Sequence, residues 1–131
     1  MASKVRALIR LGLEAARRVA EEALLSLGFS SWLIRRYEAR LRSSGGGNAD
    51  ILRRLGWFHE RAGELVAAVS FHERVLMALP NDSTAHLDLA FAFEHLGKPG
   101  AAKDHYRAFL EHDVGTDPDF KRFIENRLAA L

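Results

Sequence analysis

The residues of this chain that could do chemistry are mainly histidines, arginines and serines, because it contains no cysteine. The absence of cysteine excludes disulfides, thiolate metal ligands and thiol nucleophiles. The six histidines are His59, His72, His86, His95, His105 and His112. No two of them are four residues apart, which is the spacing that places two metal ligands on one helix face. The histidine pattern therefore predicts no metal site.

Catalytic motifs are equally scarce in the sequence. The glycine run at residues 45–47 is not followed by Lys and Ser/Thr, so it does not form a phosphate-binding loop. The serines occur outside any nucleophile motif. We therefore expect a protein that is not an enzyme and that uses no cofactor.

The composition is that of a single globular domain without a membrane-spanning segment. Hydrophobic residues make up 48% of the chain and charged residues 27%, which is an ordinary mix for a globular domain. No apolar run approaches the roughly 18–20 residues that cross a bilayer. Lys4, Arg6 and Arg10 precede the first acidic residue, a weak feature of a transit peptide that Glu14 interrupts. We therefore expect a surface helix there and a cytoplasmic protein.

Helical periodicity predicts a pair of helices in residues 1–42. The first, of about 24 residues, ends near Gly28 because glycine favours the backbone conformation after a helix. Its apolar stripe consists of Val5, Leu8, Ile9, Leu13, Ala16, Val19, Ala20, Ala23, Leu24 and Leu27. Ser30 or Ser31 is expected to cap the second helix. The apolar stripe of that helix consists of Leu33, Ile34, Tyr37 and Leu41.

Positive charge is concentrated in this hairpin. Residues 1–47 carry nine Lys/Arg and four Asp/Glu, a net charge of +5, whereas residues 48–131 carry ten and thirteen, a net charge of −3. The basic surface of the second helix consists of Arg35, Arg36, Arg40 and Arg42. Arginines beside aromatic rings are typical of nucleic-acid or anionic-membrane contacts. However, Tyr37 lies on the apolar stripe and such arginines usually form a solvated face, so this contact is only a weaker alternative.

Residues 43–48 are rich in Ser and Gly and predict a flexible linker. After it, the sequence repeats with a period of 34 residues and no gap. The first copy reads Leu52-x2-Leu55-Gly56-x2-His59, then Ala68-x3-His72 and Pro80. The second copy reads His86-x2-Leu89-Ala90-x2-Phe93, then Ala102-x3-Tyr106. This period and these residue types resemble the tetratricopeptide repeat.

The resemblance implies an all-α, right-handed α-solenoid of helical hairpins over residues 49–131, preceded by the N-terminal helical pair. The repeats would span residues 49–82 and 83–116, and a capping helix would span 117–131. Small residues are needed where the two helices of a repeat cross closely, at Gly56, Ala68, Ala90 and Ala102. His59 and His72 replace aromatic residues of the family pattern, and Val114 stands where the second repeat would have proline. We expect both histidines to be hydrogen-bonded interior side chains.

In this family the first helix of each repeat lines a concave groove that holds a peptide or a helix of a partner. By register, the implied groove residues are Asp50, Arg53, Trp57, Glu60, Arg61, Leu87, Phe91, Glu94, His95, Lys121 and Glu125. Trp57 and Phe91 occupy equivalent positions and are expected to be neighbouring aromatic anchors. The alternative is that they pack against the N-terminal helices of the chain itself.

The resulting hypothesis is a non-catalytic scaffold or adaptor whose partner is another protein. Some family members clamp the carboxylate of a chaperone C-terminus, but Trp57, Phe91 and Asp88 make such a clamp unexpected here. The alternative hypothesis is a self-assembling homo-oligomer in which residues 1–42 pack on a second copy. The last helix is expected to turn Phe120, Phe123 and Leu128 inward and Lys121, Arg122 and Arg127 outward. Such a helix would act as a solubilising cap.

Overall fold

The computed structural model describes residues 2–131, and those residues form seven α-helices and no strand. The helices are α1 (Ala2–Ser26), α2 (Ser30–Ser43), α3 (Ala49–Arg61), α4 (Leu65–Ala78), α5 (Ser83–His95), α6 (Pro99–His112) and α7 (Pro118–Ala130). No helix within this range is both long and apolar enough to cross a membrane. The predicted all-α architecture is confirmed.

The 34-residue period appears directly in the helix boundaries. Helices α3 and α5 begin at Ala49 and Ser83, and helices α4 and α6 begin at Leu65 and Pro99. From α2 onward, each helix packs mainly against the next one along the chain. Helices that are neighbours in sequence are therefore also neighbours in space, as in the predicted solenoid of helical hairpins.

Side-chain caps begin the first helix of each repeat. The Asn48 carboxamide oxygen accepts hydrogen bonds from the backbone N–H of Asp50 at 3.1 Å and of Ile51 at 3.2 Å. Asp82 accepts one from Ala85 N at 3.0 Å, and Asp117 does the same for the start of α7. These oxygens satisfy N–H groups that have no partner within the helix.

The predicted cap of α2 is wrong. Helix α2 already includes Ser30 and Ser31, and Phe29 stands at the cap position without a side-chain hydrogen bond. The reason is the turn before it, where Gly28 has a φ of +86° and the Phe29 N–H donates to Leu24 O at 2.9 Å. This turn closes α1 and leads directly into α2, so no extended residue remains at which a serine could cap.

Helix α2 belongs to the first hydrophobic core. Its residues Leu33 and Tyr37 are buried with Leu55 and Phe58 of α3, and the Tyr37 and Phe58 rings meet edge to face at 5.0 Å. The first part of the predicted linker closes the C-terminal end of α2, since the Gly46 N–H donates a hydrogen bond to Leu41 O at 2.9 Å. The solenoid therefore begins at α2, before the first repeat.

The two helices of the first repeat approach each other closely at Gly56. A Cβ atom on this residue would lie 2.4 Å from Cε1 of His72, whose side chain is 1% exposed. The His72 Nε2 atom lies 3.2 Å from a carboxylate oxygen of Glu60. The predicted need for a small residue is confirmed at Gly56. Ala68, Ala90 and Ala102, which the repeat register places at similar crossings, are fully buried.

Helix α7 corrects the expectation for the capping helix. Ile124 is fully buried, whereas Phe123 is 47% exposed and Phe120 is 37% exposed. Arg127, expected to point outward, lies over the rings of Phe91 and Phe123 at 5.8 and 5.9 Å. The equivalents of Phe123 in the two repeats, Leu55 and Leu89, are by contrast fully buried.

We predict that Gly56→Ala destabilises the fold by about 2–3 kcal/mol, because the buried His72 ring has no free space to move into. Urea unfolding followed by circular dichroism measures this change. The control is Gly100→Ala in α6, where an added Cβ would meet nothing within 4 Å. That variant should be neutral or more stable by less than about 1 kcal/mol, and equal losses in both variants would contradict the close crossing.

Candidate functional site

A cavity of about 890 Å³ lies between α1 and the first helices of the two repeats, and it is called here the α1–α3 cavity. From α3 and α5 it is lined by Asp50, Arg53, Arg54, Trp57 and Asp88. From α1 it is lined by Glu14, Arg17, Arg18, Val19, Glu22, Ala23 and Ser26. The cavity therefore has one wall from the repeats and one from the N-terminal helix.

Glu21 holds α1 in place as that wall. Its side chain is buried, with the whole residue 4% exposed. Its carboxylate accepts hydrogen bonds from the Tyr37 hydroxyl of α2 and from the Arg54 guanidinium of α3. Burial raises the pKa of Tyr37, and the neighbouring Glu21 charge raises it further. Three helices thus meet at one ion pair and one hydrogen bond.

A second ion pair joins the same helices at the surface. Glu22 of α1 accepts from Arg61 of α3, and both side chains are nearly half exposed. An exposed pair of this kind contributes little to stability, because water screens it and two long side chains lose freedom. Glu21 and Glu22 are therefore adjacent carboxylates with very different energetic roles.

Trp57 provides the aromatic surface of the α1–α3 cavity. It is partly buried, and its ring lies 5.6 Å from that of Phe58, which belongs to the core. Val19 and Ala23 of α1 line the same cavity. Trp57 therefore rests on the core with one side and borders the cavity with another.

Phe91, the repeat equivalent of Trp57, lies in a different environment. Its ring packs edge to face against Tyr106 at 5.6 Å. Nearby, the Glu94 carboxylate accepts from the Tyr106 hydroxyl and from Arg127 Nε, both at 2.7 Å. The Arg127 hydrogen bond lowers the pKa of Glu94. Trp57 and Phe91 thus make their ring contacts within different core clusters and are not in ring contact with each other.

The remaining predicted groove residues are distributed along the solenoid. Arg53 donates two hydrogen bonds to the Asp82 carboxylate, at 3.1 and 2.7 Å, so its charge is already paired. Leu87 packs in the second core cluster, and Glu125 is exposed. His95 Nδ1 lies 2.8 Å from a backbone oxygen, and Lys121 Nζ lies 3.8 Å from Asp113. Of the predicted groove residues, Asp50, Arg53 and Trp57 line the α1–α3 cavity.

Asp88 and Arg54 line the cavity without being among the predicted groove residues. They are 34 residues apart, so they are equivalent positions of the two repeats. The predicted groove residues Arg53 and Leu87 are the equivalent positions immediately before them in the sequence. Burial raises the pKa of Asp88 to about 6, and the nearby charge of Glu60 contributes to the rise. His72, whose Nδ1 lies 3.9 Å from the Asp88 carboxylate, opposes it. The repeat register could have identified this pair.

The predicted basic surface on α2 is exposed, as are all four of its arginines. The Arg36 guanidinium lies 5.4 Å from the Trp32 ring centre, and that of Arg40 lies 5.1 Å from the Tyr37 ring centre. Within residues 2–131, none of the four forms an ion pair with a carboxylate. Two of these arginines therefore stack on aromatic rings of their own helix.

Histidines approach one another in a way that sequence spacing does not predict. The Nδ1 atoms of His86 on α5 and His105 on α6 are 3.0 Å apart, and the His112 ring lies 6.0 Å from that of His86. Burial lowers the pKa of His105, and His86 lowers it further. No group of three metal-ligating side chains is arranged to hold an ion in the described part of the chain. His59 and His72 are interior and contact carboxylates, as predicted.

Among solved structures, the chain is similar to the type III secretion chaperone SycD of Yersinia enterocolitica, in complex with a peptide of the translocator YopD. The TM-score is 0.57 with 17% sequence identity, over 85% of this chain and 88% of that chain. No family model matches the sequence, and a search of curated proteins finds no match. At this identity the likeness shows the fold alone.

We predict that Glu21→Gln lowers the free energy of unfolding by about 2–3 kcal/mol, since Arg54, whose side chain is 15% exposed, loses its counterion. The control is the adjacent Glu22→Gln, which should cost less than about 0.5 kcal/mol. Urea unfolding at pH 7 measures both losses, and limited proteolysis reports whether α1 detaches. Equal stability of the two variants would show that Glu21 does not anchor the helix.

We predict that Asp88→Asn stabilises the protein by about 1 kcal/mol at pH 7. In the folded state the Asp88 pKa is about 6 against an ordinary value of 3.8, so ionising the carboxyl costs stability as pH rises between these values. The advantage of the variant should therefore be present above pH 6 and disappear toward pH 4.

Thermal unfolding from pH 4 to 8 measures this difference. The control is Asp104→Asn, which removes a carboxylate from the exposed surface of α6. A pH-independent difference for Asp88→Asn would contradict the raised pKa.

Proposed function

We propose that this chain is a tetratricopeptide-type interaction scaffold that binds a short peptide segment of another protein in the α1–α3 cavity. The observation that carries the proposal is the position of Trp57, whose partly buried ring borders a cavity with charged walls. An aromatic anchor surrounded by polar groups is the usual composition of a binding hot spot. In this proposal the protein acts without catalysis and without a cofactor.

The volume of the cavity favours a short segment over a long one. Pockets that hold small ligands have volumes of about 300–1,000 Å³, and the α1–α3 cavity, at about 890 Å³, lies within this range. A few consecutive side chains fit such a volume, whereas a long helix would extend beyond it. The partner is therefore a short linear motif with one large apolar residue over Trp57.

The charges around the cavity suggest which residues flank that apolar residue. Arg18 on the α1 wall forms no ion pair within the described part of the chain, whereas Arg53 and Arg54 are bound to Asp82 and Glu21. Asp50 and Asp88 lie on the repeat wall. An acidic residue on the α1 side and a basic residue on the α5 side would complement these groups.

The likeness to SycD supports a peptide as the class of partner. That chaperone is seen with a peptide of a translocator bound, and its fold covers most of this chain. The same solenoid architecture can therefore present a surface for an extended segment. The motif bound here follows from the residues of this cavity, since the two chains share 17% identity.

We predict that Trp57→Ala weakens peptide binding about 30-fold, which corresponds to the loss of a hot-spot contact of about 2 kcal/mol. The probes are peptides selected from a random display library on the full chain, and fluorescence anisotropy measures their dissociation constants. The control is Trp32→Ala, which removes the other tryptophan, 45% exposed on α2 and outside the cavity.

The control variant should bind as the parent protein does. Selection of no peptide above background would refute the proposed function. Peptides that bind equally well to Trp57→Ala would show instead that another surface is used.

A further inference from the structure

Helix α1 exposes almost all of its predicted apolar stripe. The six bulky residues of the stripe that are exposed are Val5, Leu8, Ile9, Leu13, Val19 and Leu27, and each is between 53% and 73% exposed. Within residues 2–131, the side-chain hydrogen bonds and ion pairs that join α1 to other helices come from Glu21 and Glu22. The first half of α1 is therefore a helix whose apolar face no element among the described residues covers.

The stripe lies on the side of α1 that faces away from the solenoid. Ala16, at the centre of the stripe, is five residues from Glu21, and at 100° per residue it points about 140° away from it. Since Glu21 points into the core, the centre of the stripe points into solvent. The exposure of the stripe thus follows from the same contact that anchors the helix.

The area of this face matches that of a protein interface. Soluble monomers rarely expose contiguous apolar patches of more than a few hundred Å². The six side chains, each more than half exposed, present on the order of 700 Å², close to the roughly 800 Å² that one partner contributes to a standard interface. The face is therefore large enough for a stable association.

Small residues at the centre of the stripe favour a helix as the occupant. Gly12, Ala16 and Ala20 follow one another at intervals of four residues and so lie on one face. An added Cβ on Gly12 would meet nothing within 4 Å, so its own chain gives no reason for a residue that weakens a helix. A second helix that packs closely against α1 would be a reason for glycine at this position, whereas a lipid surface is contacted best by bulky side chains.

The distribution of large and small residues along the stripe is self-complementary. Its first half contains the bulky Val5, Leu8, Ile9 and Leu13, whereas its second half contains three alanines, Ala16, Ala20 and Ala23, between Val19, Leu24 and Leu27. In an antiparallel pair, the bulky half of each helix meets the half of the other that contains the three alanines, so knobs face gaps there. A parallel pair would instead set bulky against bulky and small against small.

We infer that a second copy of this chain covers the stripe, and that the two α1 helices form an antiparallel pair about a two-fold axis. Such an interface is isologous, because both copies use the same surface and the first half of each stripe contacts the second half of the other. The inference does not depend on peptide binding, although Val19 and Ala23 also border the α1–α3 cavity.

Sedimentation velocity of the full chain from about 1 to 100 µM tests the dimer. We expect a dimer that Ala16→Glu dissociates, with a dissociation constant raised about tenfold or more, because a carboxylate is buried near the two-fold axis in both helices. Gly12→Leu should also weaken the dimer, although leucine strengthens an isolated helix. The control is Leu11→Glu, which replaces a leucine of α1 that is equally exposed but lies outside the stripe.

The absence of native cysteine makes the helix direction measurable. A spin label on Ser3→Cys should give an inter-label distance of about 30–35 Å in an antiparallel pair, since the two helix starts lie at opposite ends. A distance below about 20 Å would indicate a parallel pair and overturn the inferred arrangement. A monomer throughout the concentration range would overturn the dimer itself. A dimer that survives the Ala16→Glu substitution would overturn the proposed interface. Binding of α1 to anionic vesicles by a monomeric protein would overturn the proposal of a second copy as the occupant.

Discussion

The buried contact between Glu21, Tyr37 and Arg54 is the constraint on which the functional surfaces depend. One carboxylate satisfies a hydroxyl from α2 and a guanidinium from α3, so it connects the non-repeat helix to the solenoid. A buried charge is costly unless it is paired, and the pairing groups here come from two different helices. The position of α1 is therefore set by this electrostatic contact together with the packing of Leu24 and Leu25 on the first core, whereas the repeats are positioned mainly by apolar packing.

This division explains why the cavity lies where it does. In the second repeat, the surface around Phe91 is closed by Tyr106, Glu94 and Arg127, which bond to one another. Around Trp57 the opposing wall is α1, which is held at Glu21 without packing closely along its length. The non-repeat helix thus creates the cavity, and the repeat supplies its aromatic side.

The sequence predicts those features that depend on local or periodic information. The period of 34 and the small residue at Gly56 both follow from neighbours along one or two helices. The exposure of the α1 stripe, the inward position of Arg127 and the contact of His86 with His105 depend on how separate helices rotate against each other. An apolar stripe indicates that a face is covered but does not tell by what. For α1 the expected cover within the chain is absent from residues 2–131, and Glu21, a polar residue, faces the core instead.

The two proposed binding surfaces of α1 share Val19 and Ala23, so binding at one would be coupled to binding at the other. These residues border the α1–α3 cavity on one side and belong to the apolar stripe on the other. A partner helix lying along the second half of the stripe would therefore lie close to the mouth of the cavity. Coupling between two binding events is reciprocal in free energy, so a peptide that favours the monomer must bind more weakly to the dimer. A change in concentration of the protein itself would then alter its affinity for peptide without any change in the residues that contact the peptide.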